Sequence, residues 1–181
     1  QYINLTGVDD NRSDGNQTVA IILTADNSTG DGAYQNLDPP DVFVTNLDDE
    51  NASFIISPIS GSISEKGGKT LFQVRLGSQP SGEVILPVSI SDSSEGRVFS
   101  LNGNTSADNL NFTSMNWNSS QIVVIEGVDD NLSDGDQGFL ITLGPSSSND
   151  SDYHGKNPQD LNLQNQDDEQ AGFNVGPVSR H

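Results

Sequence analysis

Apolar side chains in this chain recur at alternate positions in short runs, not at helical spacing. The segments "LFQVRL" (Leu71–Leu76), "VILPVSI" (Val84–Ile90), "FLITL" (Phe139–Leu143) and Ile122–Ile125 put a hydrophobic residue at every second position, the period of a β-strand. Phe54–Ser57 reads as a further strand and Leu161–Leu163 as a weaker one. Clusters of Gly, Pro, Asn, Asp and Ser punctuate these runs and predict turns between them. No segment carries an amphipathic helical pattern. Roughly seven short strands in about 115 residues predict an all-β fold, a Greek-key, immunoglobulin-like β-sandwich.

Much of this pattern is written twice. Residues 1–54, opening "QYINLTGVDDNRSDGNQTVAIIL", lie on residues 121–173, opening "QIVVIEGVDDNLSDGDQGFLITL". Gly7 pairs with Gly127 at an offset of 120, and Tyr34 with Tyr153 at an offset of 119. The segment "ASFIISPIS" from Ala52 answers "AGFNVGPVS" from Ala171. Self-similarity at a fixed period marks a tandem array, with repeats here of about 119–120 residues. The expected organisation is the C-terminal part of one repeat over 1–50, a complete repeat over 51–169, and the first strand of a following repeat over 170–181. On this reading the chain is an excerpt or processed piece of a longer protein.

Charge narrows the function classes. The 181 residues include 26 Asp and Glu against 7 Lys and Arg, a formal net charge of −19. Such a balance excludes nucleic acid as a partner, because phosphates need Lys and Arg, and it disfavours anionic membrane surfaces. It calls for bulk salt or bound multivalent cations as compensation. The absence of Cys rules out disulfides, and no stretch of this segment approaches the length of an apolar membrane span.

The acids are not spread evenly. "GVDDNLSDGD" crowds Asp129, Asp130, Asp134 and Asp136 into one loop between two strands, and "GVDDNRSDGN" repeats Asp9, Asp10 and Asp14. A second acidic knot closes each repeat: Asp48, Asp49 and Glu50 in "LDDE", and Asp167, Asp168 and Glu169 in "QDDE". Glu65 in "SISEKGGKT" and Asp92 with Glu95 in "SISDSSEGRV" mark further strand ends. Carboxylates crowded this way repel one another unless a cation joins them. Hard oxygen donors on irregular loops suit Ca²⁺, which takes 6–8 oxygens in loose geometry. Zn²⁺ wants Cys or His, and the chain has no Cys and only His154 and His181. The competing reading is that these are solvated turn-forming Asp and Asn residues.

Taken together these motifs resemble the Calx-beta domain, a family found in the regulatory loop of sodium–calcium exchangers and in extracellular tandem arrays. The resemblance implies a calcium site. It matches Glu65 to the acid of the early "E-x-G-G" step and Asp92 to the acid after the third strand. Asp129, Asp130 and Asp134 match the acidic loop, and Asp167, Asp168 and Glu169 the closing acidic run. It covers residues 52–169 and, through Asp9, Asp10, Asp14, Asp48, Asp49 and Glu50, the back half of the preceding repeat. The chain departs from the family in closing on DDE instead of three Asp, and in carrying Asn16 where the second copy has Asp136.

Ten N-x-S/T sequons add a second theme. Asn4, Asn16, Asn27, Asn51, Asn104, Asn111, Asn118 and Asn149 are candidates for glycan attachment on an exported surface. Asn11 and Asn131 lie inside the acidic loops and suit that role poorly. Trp117 reads as an anchor for the strand that follows it, and His154 as a surface-loop residue. Asp92 and Glu95 lack the aromatic cleft of a glycosidase pair, so no enzyme is expected.

The expected function is that of an extracellular or cell-surface structural or adhesive protein. It would form a stalk, fibre or filament of calcium-binding β-sandwich repeats whose junctions Ca²⁺ stiffens. Its partners would be neighbouring repeats, homotypic filament contacts, or a cell-surface or matrix ligand. The alternatives are a ligand-binding adhesin and an accessory calcium-binding module of a larger surface enzyme or transporter.

Overall fold

A computed structural model describes residues 2–24, 28, 30–59, 61–104 and 108–177. The chain divides into two compact units, Gln1–Asn51 and Ala52–His181, one residue from the boundary that the repeat predicts. The described residues are all-β and contain no helix, so none long and apolar enough to cross a membrane.

The first unit contains β1 (Gln17–Ile21) and β2 (Val42–Asn46), paired antiparallel from Gln17↔Asn46 to Ile21↔Val42. The second contains β3 (Phe54–Ile56), β4 (Ser62–Ser64), β5 (Lys69–Leu76), β6 (Val84–Ile90) and β7 (Gly96–Leu101). It continues with β8 (Asn109–Phe112), β9 (Gln121–Gly127), β10 (Gln137–Leu143), the two-residue β11 (Ser147–Ser148) and β12 (Leu161–Gln166). One sheet has the order β3-β5-β9-β7, and the other runs β4-β12-β10-β6, with β8 and β11 also on β6. From β3 to β10 the chain changes sheet at every connection.

Period-two patterning drives this arrangement. In β5, Thr70, Phe72, Val74 and Leu76 are buried while Leu71 between them is half exposed. Phe72, Val74, Val123 and Ile125 of one sheet share a core with Leu86, Phe112, Ile141 and Leu163 of the other. Each such buried side chain contributes about 1.5–3 kcal/mol of hydrophobic stabilisation. Trp117 packs against this core, as expected, and His154 is exposed.

The expected strands appear, most of them longer than the apolar run that marks them. Four were not expected: β4, β7, β8 and β11. The segment 170–181 was expected to open a further strand, but residues 170–177 carry none, and Phe173 is fully exposed. Its counterpart Phe54 lies in β3, which exists by pairing with β5; among the described residues nothing pairs with 170–177. Residues 2–6, the counterparts of β9, are likewise not a strand.

Register places the chemistry. Lys69↔Glu126, Gly96↔Gly127, Gln137↔Asn165 and Gln166↔Ser64 are neighbours across their ladders. The turn after β4, the start of β7, the loop after β9 and the segment after β12 therefore meet at one end of the sandwich.

Candidate metal centre

Among the described residues, three groups of carboxylates form, each drawn wholly from one unit. Glu65, Asp129, Asp168 and Glu169 each offer an oxygen, all within 4.8 Å of one another. Glu95, Asp130 and Asp134 form a second group under the same limit, and Asp9, Asp49 and Glu50 a third in the first unit. The third lines a cleft of about 160 Å³ together with Asp10, Asp14 and Asp48.

Glu65 is the inner wall of the largest group. It follows β4, and its N–H donates to the Gln166 carbonyl at 3.2 Å, which turns the side chain inward to 1% exposure. One carboxylate oxygen accepts from Asn165 Nδ2 at 3.4 Å, while Oε2 is buried with no N–H or hydroxyl donor, and the Glu65 and Glu169 carboxyls hydrogen-bond to each other only when one of them is protonated. Glu169 Oε2 is in the same state. Buried oxygens left unpaired are costly. Burial above all, then the Glu169 carboxyl and the charges of Asp130 and Asp167, push the Glu65 pKa up to about 7. Burial also raises Glu169, with Asp168 and Asp129 adding their charges. Glu95 and Glu50 are raised chiefly by burial too. Orphaned oxygens, carboxylates held against their ionisation and an all-oxygen donor set fit a hard divalent cation.

Other predicted site residues are spent on the backbone. Asp167 accepts from Gly135 N–H and Glu169 N–H, both at 2.7 Å, and Asp48 accepts from Gly15 and Glu50 in the same way. These N–H donors hold both aspartates below the usual carboxylate range. Asp136 accepts from Asp167 N–H at 3.2 Å, and Asn16 accepts from Asp48 N–H at 2.9 Å. An amide oxygen fills that role as well as a carboxylate, which accounts for Asn16 in the first copy. Asp10 and Asp130 accept from Arg12 and Leu132 N–H; Asp130 also belongs to the second group. Asp92 is exposed, its carboxylate held low by Ser94. Neither it nor Asp10, Asp14, Asp48, Asp136 or Asp167 joins a group.

Asn165 went unnoticed in the sequence, although it aligns with Asn46. It is fully buried and donates to Val128 O at 2.9 Å, with longer contacts to Glu65 and Glu95. Asn46 donates to Val8 O at 3.0 Å, the same bond in the first copy. Glu95 was noted as a strand-end acid and proves to be a group member. Lys66, also unremarked, pairs with Asp168, which raises the lysine pKa. On the flank, Glu126 binds Arg97 and Lys69 and is held low, chiefly by Arg97.

The described sequon residues Asn4, Asn16, Asn51, Asn104, Asn111, Asn118 and Asn149 are exposed; Asn27 lies outside the described residues. No protein-family model matches the chain, and no curated protein matches it.

Proposed function

We propose that this chain is a calcium-binding structural segment of an extracellular tandem β-sandwich protein, of the kind its Calx-beta resemblance implies. One observation carries the reading: Glu65, buried to 1% exposure with Oε2 unpartnered, faces Asp129, Asp168 and Glu169. A divalent ion there supplies the missing partner and relieves the repulsion among four carboxylates. In each unit one group includes residues of the closing acidic run, and Glu50 lies just before the boundary at Asn51. Calcium binding thus orders the segment that leads from one repeat to the next, which is the property a stalk or filament requires.

The energetics follow linkage. An ion that binds only the folded unit stabilises it by RT ln(1 + [Ca²⁺]/Kd), about 1.4 kcal/mol per site at ten times Kd. Extracellular modules use sites of about 10⁻⁴–10⁻³ M. Thermal melting with calcium and with EGTA tests the reading. Calcium is expected to raise the Tm of the wild type by several degrees and to raise that of an Asp129→Asn, Asp130→Asn double variant much less. A wild-type midpoint that ignores calcium overturns the proposal.

A further inference from the structure

Lys66 follows Glu65 in sequence yet approaches the same acidic group from outside. The turn over Ser64–Gly68 makes this possible. Gly68 N–H donates to Ser64 O at 2.9 Å, Lys66 N–H donates to Ser64 Oγ at 3.2 Å, and Gly67 takes a φ of 77°, a region glycine adopts without strain. Glu65 is buried by this turn, while the Lys66 side chain stays 72% exposed and pairs Nζ with the Asp168 carboxylate. The neighbouring bases Lys69 and Arg97 are both held by Glu126, which is not a member of the group. Among the described residues, the first unit's group of Asp9, Asp49 and Glu50 makes no ion pair with Lys or Arg.

We propose that Lys66 is a tethered counter-ion that sets the cation affinity of the Glu65, Asp129, Asp168 and Glu169 group. Its ammonium holds Asp168 in the ion-free protein, and an incoming divalent cation displaces it. The proposal rests on the calcium reading and goes beyond it, because Lys66 is not a ligand. An ammonium on a four-carbon stem is a mobile point charge without the fixed fork of Arg, so it leaves without breaking the turn. An exposed ion pair of this kind adds little to stability. Its positive charge a few ångströms from a divalent ion, however, weakens ion binding by roughly up to tenfold. The same device makes the two units unequal, since the first unit has no lysine and its Arg12, which lines the acidic cleft, makes no ion pair among the described residues.

Calcium titration of the 181-residue chain by calorimetry tests this, comparing wild type, Lys66→Gln and Lys66→Arg. Lys66→Gln is expected to bind calcium at the second unit roughly 3–10-fold more tightly, with first-unit binding unchanged. Lys66→Arg keeps the charge and stays within about twofold of wild type. In wild-type NMR spectra the Lys66 ε-methylene signal moves toward that of free lysine as calcium is added. Equal affinity in Lys66→Gln and a calcium-binding wild type overturns the counter-ion role and leaves the calcium reading standing. No calcium binding by any of the three proteins overturns both.

Discussion

Glu65 holds the most informative electrostatics in the chain, because its burial and its acidic neighbours act in the same direction. With its pKa at about 7 instead of the ordinary 4.5, the folded chain keeps a proton that the unfolded chain has already released. That difference stabilises the fold fully below the unfolded value and is lost as pH rises through the folded one. Glu50, Glu95 and Glu169 are shifted the same way. The lowered acids, among them Asp48, Asp167 and Glu126, stabilise the fold above their unfolded values and lose that contribution only as pH falls further. On the proposed reading calcium needs the carboxylate, and so competes with the Glu65 proton. Between about pH 5 and pH 8 the calcium-free chain is expected to lose thermal stability as pH rises. The gap in Tm between calcium-loaded and calcium-free chains should widen over the same range. A gap independent of pH across that range contradicts a carboxylate site built on Glu65. The sequence made Glu65, Asp129, Asp168 and Glu169 legible as acids at strand ends. It did not separate them from Asp48, Asp136 and Asp167, whose oxygens serve backbone N–H groups, because composition is blind to which lone pairs a loop consumes. The repeat held a clue: a position that accepts Asn in one copy and Asp in the other, as Asn16 and Asp136 do, asks only for a hydrogen-bond acceptor.

At the level of elements, the start of each acidic loop is held by an amide. Asn165 in β12 reaches Val128 O just beyond β9, and this approach leaves no room for a side chain at Gly127. A Cβ there would stand 2.5 Å from Ser64 O and 2.6 Å from Asn165 Oδ1. Asn46 crowds the corresponding position of Gly7, so the "GVDD" glycine is a packing requirement in both copies. Gly127→Ala is expected to destabilise the second unit by about 1–3 kcal/mol and to weaken its calcium binding, since Ser64 precedes Glu65. Denaturant unfolding measures the first effect and calorimetry the second. Normal stability in Gly127→Ala means the turn after β4 yields without cost. Alternation revealed the strands with strong apolar faces, β5, β6, β9 and β10. It missed β4, with one buried apolar residue, and β8, where Asn alternates with Leu110 and Phe112. It also missed β7, whose ladder to β9 is interrupted between Val98 and Ser100. These strands owe their existence to the neighbours they pair with, which a local pattern does not reveal.

For the whole molecule, the repeat predicts that equivalent residues behave alike, and the hydrogen bonds agree. Gly15–Asp48 matches Gly135–Asp167, Arg12–Asp10 matches Leu132–Asp130, and Leu23–Asp41 matches Leu143–Asp160. The β1–β2 register likewise repeats that of β10–β12. The two units still differ in what surrounds this shared scaffold. Among the described residues the first has one group of three acids and exposes Phe43 and Tyr34, whereas the second has a group of four and another of three and buries the counterpart Tyr153 against Phe54. Ion binding should therefore protect the two closing segments unequally, and a protease that cuts after glutamate reads both at once. Glu50 and Glu169 belong to the acidic groups, while exposed Glu83 lies outside them and serves as the internal control. Cleavage needs the local chain to open, and a bound ion suppresses that opening in proportion to its occupancy. With increasing calcium, cleavage after Glu169 and cleavage after Glu50 should slow at different concentrations, while cleavage after Glu83 stays constant. Mass spectrometry of the fragments gives all three rates from one digest. If all three bonds slow together, calcium acts on the protease or on global stability, and the proposed ordering of each repeat's closing segment is wrong.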